Sequence, residues 1–120
     1  QMTNPLKGEI EIELGGQTYK CRLTIDSLVK IEDELDKGIL ELATDMGQAK
    51  VRIKTLVVVL KYALRGGGND FDDNNIKKIL QSVSIIESST VVAQLLADTL
   101  SDAEESNEES GEKKPQTQQA

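Results

Sequence analysis

The stretch KGEIEIELGGQTYKCRLT, residues 7–24, decides the fold. Ile10, Ile12 and Leu14 alternate with glutamates, which is the period-two pattern of a strand with one buried face. Two glycines follow, and a two-residue glycine turn tolerates the positive φ angles of a tight hairpin. The returning strand then places Tyr19 opposite Ile12. The sequence therefore predicts an antiparallel β-hairpin with one apolar and one charged face, whose faces a one-residue slip in register would exchange.

The rest of the chain supplies helices, which an isolated hairpin needs for stability. Apolar residues at helical spacing predict a first helix over residues 25–37, ended by Gly38, and further helices over residues 39–46, 55–65, 75–83 and from 88 or 89 to about 100. The expected N-caps are Thr24 or Asp26 for the first helix, Asp73 or Asn74 for the fourth, and Ser88 or Ser89 for the fifth. Residues 51–53 are compatible with a third short strand or with entry into the third helix.

The predicted fold class is α+β, with an N-terminal antiparallel hairpin packed against a bundle of about five short helices. Residues 4–100 are expected to form one domain. Residues 101–120 contain six acidic residues, two lysines and few apolar residues, which predicts a disordered acidic C-terminal tail. Such a tail favours solubility, and the alternative is regulatory contact with a basic partner.

Composition argues against several classes of function. The 21 acidic and 14 basic residues give a net charge of −7, so we expect no binding to nucleic acid or to anionic membranes. The longest apolar run, residues 56–60, is too short to span a membrane. There is no histidine, and Cys21 is expected to be a buried apolar residue. We therefore expect a soluble, cytoplasmic protein that is not an enzyme and has no cofactor or metal site.

Two polar features allow more than one interpretation. The three glycines at 66–68 precede Asp70, Asp72 and Asp73, but no Lys-Ser/Thr follows as in a phosphate loop, and the spacing departs from that of a calcium loop. A helix end followed by a flexible hinge is the preferred interpretation. The charged outer face of the first helix is either solvated or a docking surface.

Several segments resemble the gene transfer agent family of small proteins from tailed-phage and phage-like tail modules. They are NPLKGE at residues 4–9, GGQTY at 15–19, LTIDSL at 23–28 and IEDEL at 31–35. The similarity continues more loosely to about residue 100 and contains no catalytic signature. The glycine- and aspartate-rich loop and the acidic tail depart from it.

The resemblance implies a role in tail assembly in a bacterial host cell, in one of two forms. A tail assembly chaperone would bind the tape measure protein and help to recruit tail tube subunits. A structural subunit would remain in the tail tube or elsewhere in the virion. Because tube subunits build rings from larger β-sheets and this chain offers one hairpin, we favour the chaperone. A regulatory adaptor outside any phage context is a third possibility.

The third predicted helix is the candidate partner-binding element, since it is apolar on nearly all sides. A chaperone could receive an amphipathic helix of its client on such a surface. The candidate residues are Val57, Val58, Leu60, Ala63 and Leu64. Self-association into a homo-oligomer would use the same surplus of apolar surface. The alternative is that neighbouring helices of the same domain cover all five residues.

Overall fold

A two-stranded hairpin followed by five helices makes up the part of the chain that the computed structural model describes, residues 8–112, with side chains for residues 8–101. The strands are β1 (Glu9–Leu14) and β2 (Gln17–Arg22). The helices are α1 (Ile25–Leu35), α2 (Ile39–Gly47), α3 (Ile53–Gly66), α4 (Asp73–Gln81) and α5 (Ile85–Glu112). The predicted α+β class is confirmed. The expected start of the domain at Asn4 lies outside the described residues.

The hairpin has the predicted register. Ile12 pairs with Tyr19, and Leu14 pairs with Gln17 across the turn. Gly15 and Gly16 have φ angles of 59° and 81°, which side chains rarely adopt and which a two-residue hairpin turn of the type I′ class requires. The apolar face is buried, and it includes Ile12, Leu14 and the single cysteine, Cys21.

Helix α3 forms the centre of the core. It packs against α1, β2, α4 and α5, so it is covered on several sides. Val59 and Leu60 are completely buried within it, as are Ile31 of α1 and Ile76 of α4. The nearly continuous apolar composition of α3 is therefore explained by contacts inside the domain.

Only one of the predicted helix caps is confirmed, that of Thr24, whose side-chain oxygen accepts a hydrogen bond from the backbone nitrogen of Ser27 at 3.0 Å. Helix α1 ends at Leu35 and its C-cap, Asp36, has the left-handed conformation, so the expected end at Gly38 is wrong. Gly38 is instead the N-cap of α2.

The predicted starts of α4 and α5 are also wrong. Asp72 caps α4, because it accepts from the nitrogen of Asn75 while the Asn75 side chain accepts from the nitrogen of Asp72, both at 2.9 Å. At α5, Ser84 accepts from the nitrogen of Glu87 at 2.9 Å. Ser88, an expected cap, lies buried inside the helix and donates its hydroxyl to the carbonyl of Ser84. In both helices the observed cap lies earlier in the chain than the residues that the sequence predicted.

Helical structure extends further than predicted at two places. Helix α3 begins at Ile53, so residues 51–53 provide the helix entry, and the described part of the chain contains one two-stranded sheet. Helix α5 continues to Glu112, beyond the end that we predicted near Leu100 and into the predicted disordered tail. An existing helix lowers the cost of adding further residues because its nucleus is already formed. Tail residues 113–120 lie outside the described residues.

The glycines at the end of α3 pack directly against β2. A Cβ atom on Gly66 would lie 2.0 Å from the carbonyl oxygen of Arg22, and one on Gly67 would lie 2.0 Å from that of Lys20. Asn69 adds a hydrogen bond from its side-chain amide to the Lys20 carbonyl, at 2.9 Å. The predicted glycine end of the helix is confirmed, but this segment closes the outer edge of β2 where we expected a flexible hinge.

Candidate interaction surfaces

All five residues predicted to bind a partner lie in the core of the domain. Their exposed fractions are 6% for Val57, 3% for Val58 and 0% for Leu60, Ala63 and Leu64. Neighbouring elements cover them, which is the alternative that the sequence left open. In this conformation they present no surface to another molecule, and a partner-binding role for them stays a prediction that would require the domain to open.

The one charged residue on the buried side of α3 is Lys61, which is 7% exposed. Its ammonium lies 2.9 Å from Oδ1 of Asp73 and 3.3 Å from Oε2 of Glu34. The hydroxyl of Tyr62 donates to the same Glu34 carboxylate. These contacts join α1, α3 and α4 in one polar cluster.

The electrostatics of this cluster favour its charged form. Burial lowers the pKa of Lys61, but hydrogen bonds to Asp73 and Glu34 outweigh it and raise the pKa above its ordinary value. The bond to Lys61 lowers the pKa of Asp73. Asp73 thus pairs with a lysine, and Asp72 caps α4. Within the part of the chain that the structure describes, no group of His, Cys, Asp and Glu side chains could hold a metal ion.

The single thiol is not available for chemistry in the folded domain. Cys21 has no exposed surface, as the hairpin pattern predicted. Burial raises the pKa of the Cys21 thiol to about 12. Because the thiolate is the reactive species, the side chain acts as a small apolar residue of the core.

An apolar groove lies between α2 and α5. We call it the α2–α5 groove, and its volume is about 820 Å³. No charged residue lines it, and its lining includes Ala43, Met46, Val51, Ile86, Ala93 and Ala97. Ile85 and Ile86, at the start of α5, are 46% and 79% exposed.

The sequence interpretation missed this groove because it placed residues 84–87 in a link between helices. Once α5 begins at Ile85, Ile86, Ala93 and Ala97 fall on or near one face of the helix. The small alanine side chains leave space beside the larger Ile86. Two adjacent isoleucines next to a helix cap were the available signal. A surface of this shape and polarity fits an amphipathic helix of another chain.

A family model described as "Phage tail tube protein, GTA-gp10" matches residues 7–102. The chain belongs to this family. The match extends from the hairpin through the packed part of α5, and it confirms the resemblance to a tail-module family that the sequence suggested. No curated protein and no solved structure gave a significant match. Nor is any helix in the described residues long and apolar enough to cross a membrane.

Membership places the chain among the proteins of phage and gene transfer agent tails. The family description names the tail tube, so it agrees better with the structural role than with the chaperone role that we favoured from the sequence. The preference for a chaperone rested on the small amount of sheet. That observation remains, since the described residues contain two strands, but the family match outweighs it.

Proposed function

We propose that this chain is a structural component of a phage-type tail, positioned at the tail tube and held there by protein–protein contacts. The match of residues 7–102 to a tail tube family carries the proposal. Its partners would be tail tube subunits and further copies of the chain. Assembly would take place in the cytoplasm of the bacterial host, before the tail is complete.

A binding role without catalysis agrees with the chemistry of the described residues. The chain has no histidine, which is the commonest general base near neutral pH. Its only thiol is buried with a raised pKa. Lys61 of α3 pairs with Asp73 of α4 and with Glu34 of α1, which joins three helices. Because these groups are used in stabilising the domain, we assign the function to its exposed surface.

The α2–α5 groove is the surface that we assign to contact with a neighbouring tail subunit. Burying Ile86, which is 79% exposed, would remove a large apolar side chain from water. Complete burial of such a side chain contributes about 1.5–3 kcal/mol. The uncharged lining imposes no charge-desolvation penalty on an apolar partner.

Quantitative mass spectrometry of purified tails tests the proposal. A structural tube component should be present at a constant ratio to the other tail proteins, in many copies per particle. Its absence from intact, infective or DNA-transferring particles would overturn the structural role.

The second candidate is the tail assembly chaperone, which would bind the tape measure protein and leave before completion. Two observations support the chaperone role. The described residues contain one two-stranded sheet, and the α2–α5 groove suits an amphipathic helix of a client protein. This role predicts co-purification with a tape measure fragment from assembling cells and absence from finished tails. The mass spectrometry experiment therefore separates the two roles.

Substitution of Ile86 tests the groove under either role. Ile86→Glu places a charge in the uncharged groove, so we expect loss of incorporation into tails or of client binding. Leu40→Glu is the matched control, because Leu40 is also exposed, at 68%, and does not line the groove. For both variants, the free energy of unfolding should stay within about 0.5 kcal/mol of the wild-type value, as expected for surface positions. Equal behaviour of the two variants in assembly would contradict the assignment.

A further inference from the structure

The two edges of the hairpin differ in what covers them. In a two-residue hairpin the residues that flank the turn exchange hydrogen bonds, so the backbone groups of every second residue point away from the partner strand. On β2 these include Lys20, whose carbonyl accepts from Asn69, and Arg22, whose carbonyl lies against Gly66. The outer edge of β2 is therefore closed by the end of α3.

The outer edge of β1 is open at its centre. By the same alternation, the backbone N–H and C=O groups of Glu11 and Glu13 point away from β2. Within the described residues, no backbone hydrogen bond from a helix, turn or loop reaches these groups. An open edge of this kind is a template for another strand.

A cleft of about 530 Å³ runs beside this edge, between β1 and α5, and we call it the β1 cleft. Its apolar lining consists of Ile10, Ile12, Val91 and Leu95. Its acidic lining consists of Glu11, Glu13, Glu87 and Asp98. No lysine or arginine lines it, because Lys20 and Arg22 belong to the other strand.

We propose that β1 accepts an extended, basic peptide segment of a partner protein as a third antiparallel or parallel strand lying in the β1 cleft. The backbone of the segment pairs with the outward groups of Glu11 and Glu13. Side chains alternate along a strand, so one set packs on Ile10 and Val91 while lysines or arginines of the other set meet the acidic lining. The cleft thus selects for charge and for extended structure together.

A different protein fits this cleft better than a second copy of the chain. The basic extended strand among the described residues is β2, and its outer edge is already closed by α3. Two β1 edges brought together would place Glu11 and Glu13 of one copy against the same acidic side chains of the other, which is unfavourable. The β1 cleft is a second surface that adjoins the α2–α5 groove, since Thr90 and Gln94 of α5 line both. The inference does not depend on which tail role the chain has.

Hydrogen exchange with a defined probe tests the proposal. The probe is an eight-residue peptide of alternating lysine and valine, capped at both ends, and its control carries glutamate in place of lysine. In the unbound protein the outward amides of Glu11 and Glu13 should exchange rapidly, while those that pair with β2 are protected. Binding of the basic peptide should slow exchange at Glu11 and Glu13 by at least ten-fold, and the acidic peptide should leave it unchanged.

A matched pair of proline variants separates strand addition from simple charge attraction. Glu13→Pro removes one outward N–H without removing a bond between β1 and β2, and Thr18→Pro does the same at the residue opposite it on β2. We expect about ten-fold weaker peptide binding for Glu13→Pro and wild-type affinity for Thr18→Pro, since one backbone hydrogen bond and its geometry are lost only at the edge that binds. Glu13→Gln, which keeps the N–H, should weaken binding by a few-fold and reduce its salt dependence.

Several results would overturn the proposal. Binding without protection of Glu11 and Glu13, or equal affinity of the two proline variants, would indicate charge attraction alone. Failure of the basic peptide to bind at millimolar concentration would show that the β1 cleft is not a peptide-binding site. Protection of the same amides that rises with protein concentration and needs no peptide would assign the edge to a second copy of the chain.

Discussion

Replacing Gly66 with alanine should destabilise the domain through a single added methyl group. The new Cβ would lie 2.0 Å from the carbonyl oxygen of Arg22, and real Cβ contacts essentially never fall below 3.0 Å. The end of α3 must therefore move away from β2 by about 1 Å or more. That movement stretches the 2.9 Å hydrogen bond between Asn69 and Lys20 beyond bonding distance.

The size of the effect follows from three contributions. Overpacking costs about 1–3 kcal/mol, and the lost hydrogen bond costs about 1 kcal/mol. Alanine has a higher helix propensity than glycine, which returns at most about 1 kcal/mol. We expect a net loss of about 2 kcal/mol in the free energy of unfolding, which lowers the melting temperature of a domain of this size by about 8–16 °C.

Urea unfolding followed by circular dichroism measures this change, and Gly47→Ala is the matched control. Gly47 is also in the last turn of a helix, but its Cβ would meet nothing within 4 Å. The control should be unchanged or more stable by up to about 1 kcal/mol. Equal effects of the two substitutions would refute the close contact between α3 and β2.

Three further predictions concern the core, the polar cluster and a helix cap. Leu64→Ala should lose about 2–5 kcal/mol of stability because Leu64 is fully buried, whereas unchanged melting with lost assembly would support the partner-binding role first assigned to it. In Lys61→Met, we expect a loss of about 1–2 kcal/mol. The pKa of Lys61 is raised on folding. Its contribution to the stability of the domain is therefore complete at pH values below its pKa in the unfolded chain, about 10.4, and disappears as pH rises through its pKa in the folded domain. The alkaline decline in melting temperature should therefore be shallower in the variant, and an identical pH profile would contradict the ion pairs. Asp72→Ala should cost about 1 kcal/mol through loss of the α4 cap, while Asp70→Ala at an exposed position nearby should change stability by less than about 0.5 kcal/mol, as thermal melting of both would show.

The hairpin and the helical pattern could be predicted because their determinants are local. Alternation at Ile10, Ile12 and Leu14 fixes which face is buried, and Gly15 with Gly16 fixes the turn, so register followed directly. Helix boundaries were less certain because several residues near each end could serve as caps. Asp72 and Ser84 were selected by hydrogen bonds that depend on the local backbone path.

Partner-binding surface could not be located in the same way. The apolar composition of α3 is equally compatible with a docking surface and with a central core helix, and the choice depends on how many elements surround it. The groove between α2 and α5 and the open edge of β1 each combine residues distant in sequence. Ile85 and Ile86 could be assigned to a groove only when the start of α5 and the position of α2 were known.

The sequence by itself therefore determined the strand register, the number of helices and the tail-module family, because alternation, spacing and motif order are properties of neighbouring residues. Tertiary structure decided which apolar side chains are covered, which glycines permit close packing and which sheet edge stays open. Leu64 and Ile86 are both apolar helix residues, yet one is fully buried and the other is 79% exposed. The difference arises from what packs against each helix face, since burial depends on contacts between elements that local sequence does not specify.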